Sequence, residues 1–153
     1  MAQLKEGVKA PAFALEDQEG EKVKLADFKG RKLLVYFYPK ADTPGCPTQS
    51  CEVRDSRKDL AKLGVDVVGI SPDKPSKQQA FDQKYGLGFP LLSDVDHAVA
   101  EKYGVWGEKV NYGRTYMGII RSSFLIDENG KIERAWYKVS PKDTVPNARA
   151  ALV

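Results

Sequence analysis

Histidine and cysteine are scarce in this 153-residue chain: His97 stands alone, and Cys46 and Cys51 are the only thiols. A structural zinc centre usually takes four such ligands, so metal is under-supplied and no cofactor is expected. The N-terminal Met-Ala-Gln-Leu-Lys-Glu-Gly-Val-Lys lacks the apolar core of a signal peptide. No apolar run approaches the length of a membrane span. The expected location is therefore the cytoplasm. The net charge is only +3, from 24 Lys and Arg against 21 Asp and Glu spread along the chain. Nucleic-acid binding would call for a basic block, and none is present. With no repeat, linker or low-complexity tract, residues 1–153 are expected to form one domain, long enough to bury roughly 70% of its unfolded surface. In a reducing compartment, two close cysteines point to redox or catalytic use rather than to a structural staple.

The patterning is that of an α/β protein. Pro11 to Leu15 and Lys22 to Leu25 alternate like strands around Asp17-Gln-Glu-Gly20, a hairpin turn. Lys32 to Tyr38 is a continuous apolar and aromatic run, as in a central strand covered on both faces. A helix is predicted from near Cys46 to before Gly64, with Val53, Leu60 and Leu63 on its apolar face. Its first half has few apolar anchors. Val65 to Ile70 reads as another buried strand, and Ser76-Lys-Gln-Gln79 as a capping box opening a helix that Gly86 stops. Pro90-Leu-Leu is a short strand candidate. Ser93 or Asp94 would cap a helix carrying Val95, Val99 and Tyr103, closed by Gly104. Ser122 to Ile126 and Lys131 to Tyr137 flank the hairpin turn Asp127-Glu-Asn-Gly130, and a last helix starts near Asp143 or Pro146. This order predicts a thioredoxin-like mixed sheet flanked by helices, with an extra N-terminal β-hairpin.

Chemistry concentrates between Tyr38 and Asp55, where the most apolar strand hands over to a helix. A free thiol has a pKa near 8.5, so few molecules carry the nucleophilic thiolate at neutral pH. A helix N-terminus offers unpaired N–H groups and a positive dipole end, which favour the charged form at Cys46. Pro44 and Gly45 permit a tight turn, Pro47 suits the first helical position, and it should hold Cys46 extended as a cap. Thr43, three residues before, can bring its hydroxyl beside the sulfur. Cys51 can trap what Cys46 makes. Five residues along an intact helix, however, separate two Cα atoms by roughly 8–9 Å, and a disulfide wants them within about 7 Å. Any Cys46–Cys51 bond therefore requires the first helical turn to unwind.

Pro39-x-x-x-Thr43-x-x-Cys46 resembles the active-site signature of the peroxiredoxins, and Cys51 five residues later resembles their PrxQ or bacterioferritin-comigratory subgroup. Gly118-Ile-Ile-Arg121-Ser-Ser-Phe-Leu-Ile-Asp127 is similar to the arginine segment of that family. The likeness continues through Tyr103-Gly-Val-Trp106-Gly and Tyr112-Gly-Arg-Thr-Tyr-Met117-Gly. The resemblance implies a peroxidatic Cys46 thiolate attacking hydrogen peroxide or a small organic hydroperoxide. Thr43 would hydrogen-bond thiolate and peroxide, and Arg121 would stabilise charge moving onto the leaving oxygen. Pro39 would shield the sulfur, and backbone N–H groups near Gly45 would donate to the peroxide. Cys51 would resolve the sulfenic acid to a disulfide. Thioredoxin or a similar dithiol would reduce that bond, in a monomer.

Two residues depart from the family pattern. Gln49 stands where Cys-x-x-Glu is common, keeping an acceptor but losing a charge that orients nearby arginines. Pro47 replaces a small polar residue and removes one helix N–H. Blander readings remain beside the sharp one: two inert buried thiols, a surface Arg121, and a Thr43 that only shapes a turn. A peroxide sensor would form the same disulfide, whereas a thioredoxin-type oxidoreductase would use C-x-x-C, which this chain lacks. His97, among Asp96, Glu101 and Lys102, is expected to be a solvated surface residue. Trp106 and Tyr112 belong either to the core or to the rim of the site.

Overall fold

The computed structural model describes residues 3–41 and 46–152, the side chains of Cys46, Pro47 and Asn111 excepted. Strands β1 (Ala14–Glu16) and β2 (Lys22–Lys24) form the N-terminal hairpin, followed by the central strand β3 (Lys32–Phe37). Helix α1 (Cys46–Lys62), β4 (Val65–Ser71), α2 (Pro75–Tyr85), β5 (Leu91–Ser93) and the short α3 (Ala98–Lys102) come next. β6 (Trp106–Asn111), β7 (Arg114–Ile119), β8 (Ser122–Ile126), β9 (Ile132–Trp136) and α4 (Thr144–Leu152) complete the order. The main sheet runs β2-β1-β5-β4-β3-β8-β9, with β6 and β7 in a separate two-stranded ribbon. β3 pairs parallel with β4 and antiparallel with β8, which seats it in the interior of the sheet.

That position explains why β3 is apolar after Lys32. Successive strand residues point to opposite faces, and here both faces are covered. Leu33, Val35 and Phe37 join Val99, Tyr103 and Phe124 in one buried cluster. Leu34, Tyr36 and Tyr38 join Val53 and Leu60 of α1, Phe81 of α2 and Val145 and Ala148 of α4 in the other. Each such side chain contributes about 1.5–3 kcal/mol on burial. The hairpins at residues 17–20 and 127–130 form as their sequences predict, Asp127 accepting the N–H groups of Asn129 and Lys131.

Several local expectations are corrected. α1 counts Cys46 as its first residue, so Cys46 is helical rather than an extended cap, and Pro47 is second. Either place suits proline, because the first N–H groups of a helix have no intrahelical partner. Leu63 is 56% exposed and Val95 54%, so neither is an apolar anchor. Lys74 precedes α2 and Pro75 opens it, and no capping box is made at Ser76. Proline at the first position fixes φ and supersedes the side-chain cap. α3 starts only at Ala98, with His97 rather than Asp94 in the N-cap place, although the Asp94 carboxylate accepts the N–H groups of Val99 and Ala100 at 3.1 and 2.8 Å. The β6–β7 ribbon, absent from the sequence reading, turns at Tyr112 and Gly113, with Tyr112 at φ 53°.

β3 and β4 approach closely beneath α1. Tyr36 and Gly69 are register partners, and a Cβ built on Gly69 would meet the Tyr36 ring and hydroxyl at 2.8 Å. The absent side chain leaves room for the phenol, whose oxygen stands 2.9 Å from Ser50 Oγ in α1. Gly69→Ala is expected to displace Tyr36 and cost about 1–3 kcal/mol. Urea unfolding measures this, and an unchanged midpoint would show that the ring yields freely.

Candidate active site

The parallel strands β3 and β4 end side by side, at the sheet edge where α/β proteins commonly place their sites. β3 runs out through the buried Tyr38 to a half-buried Pro39 and to Ala41, and α1 begins at Cys46. Thr43 and Gly45 lie outside the described residues, and so does the side chain of Cys46. α1 runs unbroken through both cysteine positions, so Cys51 lies more than a full turn beyond Cys46. The Cys51 thiol is free and half-buried, packed against the cluster under α1.

Arg121 lies in the short connection from β7 to β8, its carbonyl accepting the Val139 N–H at 2.8 Å. Its guanidinium Nη1 donates to Gln49 Oε1. Gln49 is three residues after Cys46 and shares its helix face. The contact therefore brings a fixed cation against the first turn of α1, the turn that Cys46 opens. Gln49 is fully buried, and its Nε2 donates to Thr144 Oγ1 at 2.8 Å, the first residue of α4. The neighbouring Ser50 is also fully buried, on the Tyr36 hydroxyl. The first half of α1 is thus anchored by buried polar contacts. Its few apolar anchors therefore understate how firmly it is held. The Gln49 amide does fill the place expected of a glutamate, accepting from Arg121 without a charge.

A second polar group lies at the end of β4. Tyr38 donates its hydroxyl to Gln78 Oε1, and Gln78 Nε2 donates to Ser71 Oγ at 2.8 Å and to the Leu92 carbonyl at 3.0 Å. Ser71 Oγ donates to Asp73 Oδ2 at 2.8 Å, and the same oxygen accepts the Ala41 N–H at 2.6 Å. Burial pushes the Tyr38 phenol well above its usual pKa, so it stays a donor. None of Ser71, Asp73, Gln78 or Tyr38 was singled out as a site residue from sequence. The usable signal was the polar Ser71-Pro-Asp73 directly after an apolar parallel strand.

The remaining aromatic candidates lie apart. Tyr112 is 97% exposed at the ribbon tip. Trp106 is partly buried against the core and stacks on His97 at 3.8 Å between ring centroids. His97 is consequently not a freely solvated residue: it tethers α3 to β6, its Nδ1 3.4 Å from Glu101.

Residues 7–135 match the AhpC/TSA family. The chain belongs to that family. It is 58% identical to Peroxiredoxin Bcp of Escherichia coli strain K12 over 136 residues, covering 89% of this chain and 87% of the relative. Identity to Peroxiredoxin Bcp of Bacillus subtilis is 47% over 146 residues, 95% and 93% of the two chains. Among solved structures, Xanthomonas campestris Peroxiredoxin Q superposes with a TM-score of 0.88 at 34% identity, covering 96% of each chain. The bacterioferritin comigratory protein of the same organism, described for its alkyl peroxide reduction activity, superposes at 0.89 with 33% identity over 97% of each chain. The protein is a peroxiredoxin of the Bcp/PrxQ type, an oxidoreductase of the peroxidase class with a thioredoxin-like fold. Among the described residues no helix is long and apolar enough to cross a membrane.

Gln49→Leu removes both amide contacts and is expected to destabilise the peroxiredoxin by about 1–3 kcal/mol. Gln49→Glu should keep them, the Thr144 hydroxyl turning to donate, and should match or exceed the parent stability at neutral pH. A carboxylate beside a guanidinium titrates below its unfolded value of about 4.3. Its stabilisation is present above that value and is lost as pH falls through the lower folded one. The Glu variant should therefore lose stability in acid more steeply than the parent; parallel denaturation profiles would contradict the assignment.

Proposed function

We propose that this peroxiredoxin reduces hydrogen peroxide and small organic hydroperoxides through a Cys46–Cys51 cycle, working as a single-domain monomer in the cytoplasm. The observation that carries the reading is the Arg121–Gln49 contact, which sets a guanidinium beside the helix turn that Cys46 opens. The Cys46 thiolate, favoured by the helix N-terminus, attacks the terminal peroxide oxygen. The S–O bond forms as the O–O bond breaks; sulfur is oxidised to sulfenic acid, and the leaving oxygen takes a proton as water or alcohol. Arg121 stabilises the charge on that oxygen as it departs. Thr43 and the Gly45 backbone hold the peroxide, and Pro39 keeps water from the sulfur, roles that follow from the family signature.

Resolution follows from helix geometry. The Cys51 thiol displaces hydroxide from the sulfenic sulfur, which leaves as water, and a Cys46–Cys51 disulfide forms. Because α1 is continuous across both positions, its first turn unwinds for the sulfurs to meet. That withdraws Gln49 from Arg121 and Thr144 and Ser50 from Tyr36, so unwinding is coupled to bond formation rather than free beforehand. A dithiol protein of thioredoxin type then reduces the disulfide by exchange.

Two measurements test the cycle. With thioredoxin, its reductase and NADPH, the parent should turn over peroxide continuously, while Cys51→Ser should be oxidised once and then stall. Full turnover by that variant would remove Cys51 from the mechanism. Far-UV circular dichroism should show the oxidised protein losing about one helical turn, roughly four residues. Equal helix content in both redox states, with the disulfide shown to be present, would reject the unwinding step.

A further inference from the structure

We propose that Asp73 is a positioning residue for the peroxide reaction, holding the β3–α1 connection in place through the Ala41 amide; this rests on Cys46 being the peroxide-reactive thiol. Ala41 is two residues before Thr43 and five before Cys46, within the segment that must place both at the peroxide. Asp73 Oδ2 accepts the Ala41 N–H at 2.6 Å, a charge-assisted bond from a carboxylate to backbone. That carboxylate is itself fixed. Ser71 Oγ donates to the same oxygen at 2.8 Å and accepts the Asp73 N–H at 3.3 Å.

Behind Ser71 the donors run in one direction. The Tyr38 hydroxyl donates to the Gln78 carbonyl oxygen, the Gln78 amide nitrogen to Ser71, and the Ser71 hydroxyl to Asp73. Aligned donors polarise one another, and their last acceptor is the group that grips Ala41. Tyr38, Ser71 and Gln78 are fully buried and Asp73 is 9% exposed, so water competes little for these bonds. The chain also closes on itself in space. Tyr38 directly precedes Pro39, so the chain leaving β3 is held at Tyr38 by Gln78 of α2 and again at Ala41 by Asp73 just beyond β4. Nothing in peroxide chemistry requires a carboxylate there. What the reaction requires is a fixed approach, and misplacement by about 1 Å can cost on the order of a hundredfold in rate.

The test uses the full chain in a Cys51→Ser background, where Cys46 alone can react. Two rates are compared: oxidation of Cys46 by hydrogen peroxide, and its alkylation by iodoacetamide across pH. Alkylation needs a thiolate but no positioned loop. Asp73→Ala should slow the peroxide reaction about tenfold or more while leaving the alkylation pH profile in place. Asp73→Asn keeps an oxygen acceptor for both donors and should restore the peroxide rate to within about threefold. Should Asp73→Ala fail to fold, Ser71→Ala carries the test, with an expected loss of about threefold to tenfold in the peroxide reaction alone. Wild-type peroxide rates in these variants, a proportional fall of both reactions, or an equal loss in Asp73→Ala and Asp73→Asn would each overturn the proposal. If the background protein with Asp73 intact reacts with peroxide no faster than free cysteine does, the peroxidatic reading fails and the proposal falls with it. A fast background with unaffected Asp73 variants sinks the proposal alone.

Discussion

Gln49 carries an uncharged amide into a place closed to solvent and uses both of its ends, accepting from Arg121 and donating to Thr144. Three parts of the fold meet there: the first turn of α1, the connection into β8, and the start of α4. An amide left unpaired in such a place would cost about 1–3 kcal/mol, so the contact fixes the relative placement of all three parts. The catalytic reading depends on this, because the guanidinium is useful only where it faces the turn that Cys46 opens. A glutamate would hold the arginine more strongly and would bring a titratable charge. The amide gives a pairing that does not change with pH.

In the proposed cycle the same anchorage would set the order of events. A helix start held by apolar packing alone could fray early and let the two sulfurs wander together. Here Gln49 and Ser50 hold the first turn through bonds to Arg121, Thr144 and Tyr36, so the intact helix would be the resting state of the dithiol in that cycle. A covalent bond formed at the sulfenic sulfur would compensate for breaking them. On that proposal the balance between holding and release would also set how long the sulfenic acid survives, and with it the exposure to a second peroxide.

Much of this was legible in the sequence. The doubly buried run in β3, the Asp127-Glu-Asn-Gly130 turn and the span of α1 follow from periodicity and turn chemistry, which act over a few residues. Motif spacing brought Arg121 and the first turn of α1 into one reading although they are far apart in the chain. What escaped was set by tertiary contacts. Gln49 reads from its spacing as an acceptor toward an arginine, but its bond to Thr144 and the seating of Ser50 on Tyr36 emerge only from packing. Tyr38 just after β3, Ser71 at the end of β4, Asp73 just beyond it and Gln78 of α2 meet only when β3, β4 and α2 pack. The β6–β7 ribbon lacks a strongly apolar face, with Val110 73% exposed, and so gave no strand pattern. Leu63 and Val95 failed in the opposite sense, being apolar residues at the margins of helices with nothing to cover them.

The central claim is that Cys46 is an activated thiolate resolved by Cys51. Intact-mass analysis tests it most directly, with the reduced protein quenched by a thiol-blocking reagent milliseconds after one equivalent of hydrogen peroxide. The account predicts rapid, near-quantitative loss of two hydrogens, with both thiols closed to the reagent. Two thiols still open after minutes would contradict it.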